Sequence, residues 1–160
     1  MSADAPVICK VVHSVSQLWP LILKQKGGTV FTVSPKESVQ SIVDSLAKHR
    51  IGAVVVVHAG GHIAGIVSER DVVRAMAGNG AAVMAKTAAD IMTAKVRTCA
   101  PGDSEADLMA LMTAHRVRHL PVVVDGKLAG MVSIGDVVKF RMEMMEMEAE
   151  QMKTYIASAG

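Results

Sequence analysis

The chain has 160 residues, of which 51% are hydrophobic, so it is long enough to bury a core. A formal net charge of +2 is too close to zero to favour nucleic acid or an anionic membrane as the main partner. Aromatic residues are only 2% of the chain, which argues against base stacking, whereas 12 methionines favour an adaptable aliphatic core. Two cysteines without framework spacing, and the lack of a stretch typical of an export signal or a membrane span, predict a cytoplasmic location.

The N-terminal part of the chain predicts one helix and one strand. Leu18 and Ile22, followed by Gly27-Gly28, indicate a short amphipathic helix with a glycine stop, and Pro20 leaves the first residue of this helix open. The β-branched and aromatic residues of the stretch 29–33 predict a strand.

The next elements follow from a helix-start signal and a run of valines. The sequence Ser34-Pro35-Lys36-Glu37 predicts a helix start, because a Ser stands three residues before a Glu and a Pro occupies the first helical position. Gly52 ends the helical pattern, and the valine run at 53–57 lacks polar alternation, which is typical of a strand covered on both faces. After a glycine-containing turn, residues 63–67 predict the hairpin partner of that strand, and a helix begins at Ser68.

The same order of elements recurs in the second half of the chain. A predicted linker at 77–85 and the lead-in Asp90-Ile91-Met92-Thr93 separate the two halves. The second half predicts a strand, a helix, two strands and a helix, at residues 96–99, 103–115, 120–124, 128–132 and from Ser133 onwards.

A short stretch that occurs twice defines the organisation of the chain. Residues 65–71, Gly-Ile-Val-Ser-Glu-Arg-Asp, recur as residues 130–136, Gly-Met-Val-Ser-Ile-Gly-Asp. We therefore predict an α/β (α+β) fold, in which two pseudo-twofold-related β-α-β-β-α repeats share one core and a long C-terminal helix follows. The predicted parts are an N-terminal segment at 1–28, repeat 1 with its linker at 29–85, repeat 2 at 86–142 and a C-terminal helix extension at 143–160.

The last helix carries an apolar seam. Apolar residues recur at alternating spacings of four and three, as the a and d positions of a coiled coil do: Val138, Met142, Met145, Ala149, Met152 and Ile156. We expect this helix to pack on a partner subunit. Packing back onto its own domain is the alternative that the same pattern allows.

The paired Ser and Asp residues of the repeat have two interpretations. In Ser68-x-x-Asp71 and Ser133-x-x-Asp136, the Ser can accept a hydrogen bond from a first-turn N–H while the acid reaches back to the N–H of the Ser, which is a capping box. A helix that begins just after a strand also presents backbone N–H groups and the positive end of its dipole, which suit phosphate, and a carboxylate there can bind both hydroxyls of a ribose. The pattern alone leaves both interpretations open.

The two repeats differ at the start of one strand. Arg118-His119-Leu120-Pro121 in the second repeat occupies the place of Gly52-Ala53-Val54-Val55 in the first. One strand therefore begins with cationic side chains and the other without side-chain bulk, which predicts two unequal sites. Arg118 and His119 suit phosphate, and the alternative is a solvated basic edge.

The chain resembles a tandem pair of CBS domains, the Bateman module. The resemblance is carried by the doubled Gly-h-h-Ser-x-x-Asp unit, the lead-in at 90–93 and the strand at 118–123, and it covers roughly residues 29–142. It implies a pseudo-twofold pair that dimerises and binds adenosine-containing ligands, such as AMP, ADP, ATP, NAD or S-adenosylmethionine, in clefts between the repeats. It therefore implies a non-catalytic sensor that signals to a partner protein, with no metal cofactor.

The resemblance also implies two sets of ligand-binding residues. One set combines Asp71 with Thr98, Arg118, His119, Met131 and Ser133, and Leu120 and Pro121 continue the same strand. The other set combines Asp136 with Thr32, Gly52, Ala53, Ile66 and Ser68. Arg70 is expected to assist with phosphate, and its counterpart in the second repeat is Gly135. Ser68 and Asp71 are thus expected to serve different ligands.

A metal site, an NAD-dependent enzyme and a nucleic-acid-binding protein are the alternatives to this function. His115 and His119 are four residues apart and Cys99 is a third metal-binding side chain, but a helix end between the histidines removes the shared face that a zinc-binding helix needs. An enzyme that transfers hydride with NAD should carry a G-x-G-x-x-G turn after a strand, which this sequence lacks. Nucleic acid could bind the basic clusters at 48–50 and 115–118, which are more often solvated helix ends.

Overall fold

The computed structural model of the chain describes residues 18–26 and 29–159. It confirms a mixed α and β fold with a long C-terminal helix. In chain order the elements are α1 (Leu18–Lys26), β1 (Thr32–Val33), α2 (Val39–His49), β2 (Ala53–Val57), β3 (Ile63–Ser68), α3 (Glu69–Asn79), a 3₁₀ segment (Gly80–Ala85), α4 (Ala88–Ile91), α5 (Glu105–His115), β4 (His119–Val124), β5 (Lys127–Ser133) and α6 (Ile134–Ala159). The predicted glycine stop at Gly27-Gly28 lies outside the described residues.

The described chain separates into two compact units. The sheet unit comprises residues 29–100 and 119–131, and the helical unit comprises residues 18–26, 101–118 and 132–159.

The sheet unit is built around β2. This strand pairs in parallel with β1, where Thr32 faces Val55, and antiparallel with β3, where Ala53 faces Ser68. Val54 and Val55 have no exposed surface, as the uninterrupted valine run predicts for a strand covered on both faces. The principal core cluster joins this strand to α2, β3, α3 and α4 through Val39, Ile42, Leu46, Val54, Val56, Val67, Val72 and Ala88.

The second β-hairpin also belongs mainly to the sheet unit. Strands β4 and β5 pair with each other and are joined by Asp125-Gly126, both at positive φ, which is the backbone that a two-residue hairpin turn requires. Cys99 forms a single parallel bridge to Val122. The predicted strand at 96–99 is therefore reduced to this one paired residue.

The helical unit packs α6 against α5 and α1. Val137 and Phe140 of α6 are buried, as are Leu108 and Met112 of α5. Pro20 stands in the first turn of α1, where the missing proline N–H has no helical carbonyl to reach.

Helix α2 starts later than the sequence predicts. Ser38 caps it, because the Ser38 hydroxyl accepts a hydrogen bond from the N–H of Ser41 at 3.2 Å. The predicted start at Ser34 forms a turn instead, in which the N–H of Glu37 donates to the carbonyl of Ser34. Pro35 suits the second position of a turn as well as the first position of a helix, so the prediction misplaced the start by one turn.

Two further boundaries differ from the prediction. The first strand is limited to Thr32–Val33 instead of beginning at Thr29. The predicted linker at 77–85 is helical: α3 extends to Asn79, and the 3₁₀ segment that follows buries Val83 completely. Burial of this valine explains why a glycine-containing stretch is ordered as part of the sheet unit.

None of the helices in the part of the chain that the structure describes is long and apolar enough to cross a membrane.

Candidate functional site

The first copy of the repeated stretch forms a strand-to-helix junction closed by a capping box. Ser68 ends β3 and caps α3. Its N–H and its hydroxyl both donate to Asp71 Oδ2, at 2.8 and 2.6 Å, and its Oγ accepts from the N–H of Asp71 at 3.4 Å. The capping interpretation is therefore confirmed at this junction.

The second copy has the same geometry at the junction between β5 and α6. The N–H and the hydroxyl of Ser133 donate to Asp136 Oδ2, both at 2.8 Å, and Ser133 Oγ accepts from the N–H of Asp136 at 3.3 Å. Each Asp is half-buried. The two halves of the chain thus place one carboxylate each in the same local setting.

The backbone N–H groups at these helix starts are already used. The N–H of Glu69 donates to the carbonyl of Gly52 at 3.0 Å, and the N–H of Ile134 donates to the carbonyl of Arg118 at 2.9 Å. With the Asp N–H bound to the capping Ser, the first and third N–H groups of each helix are occupied. These two N–H groups of each helix therefore already have partners within the fold, and a half-buried carboxylate stands beside them.

Thr93 also contacts the site, which its sequence pattern did not predict. Its hydroxyl donates to Asp71 Oδ1 at 3.1 Å, so both oxygens of Asp71 accept hydrogen bonds. Thr93 is held there by two backbone hydrogen bonds with Ile66, at 2.9 and 3.0 Å. The only sequence signal was its position at the end of the lead-in Asp90-Ile91-Met92-Thr93.

Gly65 explains how the lead-in segment approaches β3 so closely. A Cβ built on Gly65 would lie 2.5 Å from Met92 Sδ and 3.0 Å from the carbonyl oxygen of Thr93. A side chain at this position would push Thr93 away from Ile66 and Asp71. The glycine of the repeated motif therefore permits the contact between Thr93 and Asp71.

Gly52 and His119 lie against each other at the start of β2 and β4. A Cβ on Gly52 would be 3.0 Å from His119 Cε1 and 3.2 Å from Nε2. The resemblance assigned these two residues to different ligand sets, yet they are neighbours. The small residue in one repeat makes room for the imidazole of the other, which gives the difference between the two strand starts a packing reason.

The remaining predicted residues divide by burial. Ala53, Leu120 and Pro121 have almost no exposed surface, so their side chains belong to the interior and only their backbone groups could meet a ligand. Ile66 and Met131 are half-buried, and Thr32, Arg70, Thr98 and Arg118 are exposed. Thr98 lies next to the strand that it was assigned to accompany, because the N–H of Cys99 donates to the carbonyl of Pro121 at 3.0 Å.

A metal site was the alternative function considered for His115, His119 and Cys99. Within residues 18–26 and 29–159, no group of three or more His, Cys, Asp or Glu side chains is placed to hold a metal ion. Helix α5 ends at His115, and Arg116 follows in the left-handed conformation. Cys99 is buried.

The basic clusters form the ends of helices α2 and α5. Arg50 and Arg116 close the two helices with φ of 52° and 53°, and the backbone N–H of each donates to helix carbonyls. Cations at this end interact favourably with the helix dipole, so the clusters have a structural role that requires no nucleic acid.

A third capping box precedes the lead-in segment. The N–H and the hydroxyl of Thr87 donate to Asp90 Oδ2, both at 2.8 Å. The hydrogen bond from the Thr87 N–H, and then that from its hydroxyl, lower the pKa of the Asp90 carboxyl below its ordinary value, because both stabilise the ionised form. This cap helps to fix the segment that carries Thr93.

Comparison with known proteins agrees with the doubled junction. The chain matches the CBS domain family over residues 28–78 and 88–143. It is 36% identical over 143 residues to a mitochondrial CBS domain-containing protein of Arabidopsis thaliana, an alignment that covers 84% of this chain and 69% of the relative.

Two solved structures are similar in fold and sequence. A CBS-domain containing protein of Agrobacterium tumefaciens is 45% identical with a TM-score of 0.73, over 79% of this chain and 92% of that one. A CBS domain pair solved in complex with 5′-methylthioadenosine and S-adenosyl-L-methionine is 26% identical with a TM-score of 0.64, over 70% of this chain and 91% of that one. The predicted resemblance is confirmed: this chain belongs to the CBS-domain family and carries a pair of CBS domains, a regulatory module.

Proposed function

We propose that this chain is a non-catalytic regulatory module that binds an adenosine-containing ligand, AMP, ADP, ATP, NAD or S-adenosylmethionine, and passes its binding state to a partner protein. The observation that carries the proposal is the doubled junction, which holds one half-buried carboxylate after a strand in each half of the chain. The structure of a related CBS domain pair with two adenosine compounds supports the ligand class.

The chemistry of the junction suits a ribose. Asp71 Oδ2 and Asp136 Oδ2 are fixed by their caps, so each carboxylate keeps its orientation without a ligand. An ionised carboxylate has about four lone-pair sites on its two oxygens. The cap uses two of them at each junction, and the Thr93 hydroxyl uses a third on Asp71 Oδ1, so two ribose hydroxyls at Asp71 would have to displace Thr93. Two adjacent ribose hydroxyls are donors of matching spacing, and the cap pre-organises the acceptor for them.

The two residue sets implied by the family resemblance remain part of the proposal. The Asp71 set carries the cations Arg118 and His119, and Arg70 precedes Asp71 in the sequence, so we assign this set the phosphate-bearing ligand. The Asp136 set has no cationic side chain. The proposal also includes a homodimer, a protein effector that senses the ligand-bound state, and a cytoplasmic location.

The test is a thermal-shift panel with the five adenosine compounds. The wild type is compared with Asp71→Asn and Asp136→Asn, and with Asp44→Asn as a matched control, since Asp44 is an exposed aspartate on α2 that belongs to neither junction. A ligand at a hundred times its dissociation constant stabilises the folded state by about 2.7 kcal/mol, which corresponds to roughly 5 to 10 °C for a chain of this size.

Each variant is judged against its own melting point without ligand, because loss of a capping carboxylate lowers the baseline by about 1 kcal/mol. We expect the Asp44 variant to respond like the wild type and at least one junction variant to lose most of its response. If no adenosine compound shifts the wild type, the ligand proposal is wrong. If both junction variants respond fully, the carboxylates are caps only.

A further inference from the structure

Helix α6 exposes the apolar seam that its sequence predicts. The large residues of the seam are 44 to 68% exposed: Val138 44%, Met142 57%, Met145 55%, Met152 67% and Ile156 68%. The helix packs on α5 and α1 with a different face, which contains Val137 and Phe140. The described chain therefore leaves the seam uncovered, whereas the face with Val137 and Phe140 packs on the chain's own helical unit.

The charged residues beside the seam follow the heptad pattern. If Met142 is an a position and Val138 a d position, Lys139, Glu146 and Lys153 occupy e, and Arg141, Glu148 and Tyr155 occupy g. In a parallel in-register pair, each g residue faces the e residue five positions later on the other helix. Arg141 then faces Glu146 of the second copy and Glu148 faces Lys153, and twofold symmetry repeats both pairs.

An antiparallel pair with the same seam overlapped has the opposite electrostatics. There e faces e and g faces g, so Glu146 and Glu148 each meet their own copy, and Lys139 meets Lys153. All three juxtapositions are between like charges, which are destabilising. Charge complementarity therefore selects the parallel arrangement.

A groove along α6 fits the same arrangement. It has a volume of about 470 Å³ and lies on the e side of the seam, lined by Ile134, Gly135, Val138, Lys139, Met142, Glu143 and Glu146. The carboxylates of Glu143 and Glu146 make it acidic at one end, where Arg141 of a parallel second copy would enter. Arg141 is within 3.7 Å of Glu105 of its own chain but remains 55% exposed, and its fork of five donors can serve a second carboxylate.

We propose that a second copy of this chain docks on the seam, with the two α6 helices parallel and in register as a two-stranded coiled coil. This deepens the homodimer of the proposed function and names its contact. The seam begins at Val138 and Met142, inside the part of the chain that matches the CBS domain family, and continues along residues 144–159, which lie beyond that match.

The orientation is tested by disulfide cross-linking of the full chain. Met152→Cys is introduced together with Cys9→Ser, and Cys99 is kept because it is buried. Gln151→Cys in the same background is the matched control, because the neighbouring residue points away from the seam. We expect rapid covalent dimers for the Met152 variant and few for the control. Equal cross-linking of both, or none of the Met152 variant, overturns the parallel pair.

The charge pattern is tested by complementary reversals. Arg141→Glu with Lys153→Glu makes every g–e pair acidic, and Glu146→Lys with Glu148→Lys makes every pair basic. We expect each double variant alone to have a dimer dissociation constant at least about tenfold higher than that of the wild type. An equimolar mixture of the two variants should return the constant to the wild-type value. Sedimentation measures both. The proposal is contradicted if the wild type is monomeric or if either double variant alone dimerises as tightly as the wild type. It is also contradicted if the mixture dimerises no more tightly than the separate variants.

The same preparations separate this inference from the ligand proposal. The thermal shift with adenosine compounds is recorded for the wild type and for both charge-reversed proteins. A wild type that dimerises but never responds to ligand would refute the ligand proposal and leave the seam standing. A ligand-responsive wild type that sediments as a monomer would refute the seam alone.

Discussion

At the scale of single residues, Asp71 combines a structural and a chemical role. Its Oδ2 closes the cap of α3, and its Oδ1 accepts from Thr93, so the side chain is held by three donors before any ligand arrives. Such a carboxylate has little rotamer freedom to lose on binding, which favours affinity. The cap therefore fixes the geometry that a ligand would use, whereas the Thr93 hydroxyl occupies a site on Oδ1 that a second ribose hydroxyl would have to take over.

Gly65 controls this arrangement from the neighbouring strand. We expect Gly65→Ala to destabilise the fold by about 1 to 3 kcal/mol, because the new Cβ would lie 3.0 Å from the Thr93 carbonyl oxygen, a backbone atom that is bonded to Ile66. The measurement is urea unfolding. Gly78→Ala is the matched control: it has open space around it inside α3 and is expected to gain about 0.5 to 1 kcal/mol. Equal effects at both glycines would contradict the packing argument.

At the scale of elements, the sequence predicted where the helices lie, but it predicted the first residue of only some of them. The two Ser-x-x-Asp starts of α3 and α6 were located, because the signal is local and occurs twice. The predicted start of α2 was wrong, because contacts with residues far away in the sequence fix it. The N–H of Val39 donates to the carbonyl of Lys86, and Ser38 forms a β-bridge with Thr87. A local sequence pattern carries no information about such distant partners, so it could not show whether Ser34 or Ser38 caps the helix.

The C-terminal end of α2 gives a prediction about its basic cluster. Arg50 adopts φ of 52°, a conformation that costs a residue with a Cβ roughly 1 kcal/mol and costs glycine nothing. We expect Arg50→Gly to raise the free energy of unfolding by about 0.5 kcal/mol, since part of the gain is lost to the freer unfolded chain. Chemical unfolding measures it, with Lys48→Gly as the control that should lose about 1 kcal/mol within the helix. Destabilisation by Arg50→Gly would show that the guanidinium makes a contact of its own.

At the scale of the whole molecule, the repeat was the most informative feature of the sequence. It located both carboxylates and both capping serines without any structural information, and the family match over residues 28–78 and 88–143 agrees with it. The link from Thr93 to Asp71, the use of the first-turn N–H groups and the contact between Gly52 and His119 were not predictable. Each depends on how segments far apart in the sequence approach one another, which neither composition nor spacing encodes.

The same repeat predicts that the two carboxylates serve unequal sites. The set proposed around Asp71 includes Arg118 and His119, whereas the set around Asp136 has no cation. A charge-assisted hydrogen bond to phosphate is worth about 1.5 to 3 kcal/mol, so ATP should bind the Asp71 set roughly 10 to 100 times more tightly than adenosine does. The Asp136 set should bind both compounds with similar affinity.

Calorimetric titration of the two aspartate variants separates the sites. We expect Asp136→Asn to retain the preference for ATP over adenosine and Asp71→Asn to lose it, because only the second change disables the cationic set. Arg118→Gln should reproduce the loss of preference while leaving adenosine binding intact, since it removes the phosphate partner and not the ribose acceptor. If the two aspartate variants lose the preference to the same extent, the cations act on both sites and the inequality seen in the sequence is a matter of packing between Gly52 and His119 alone.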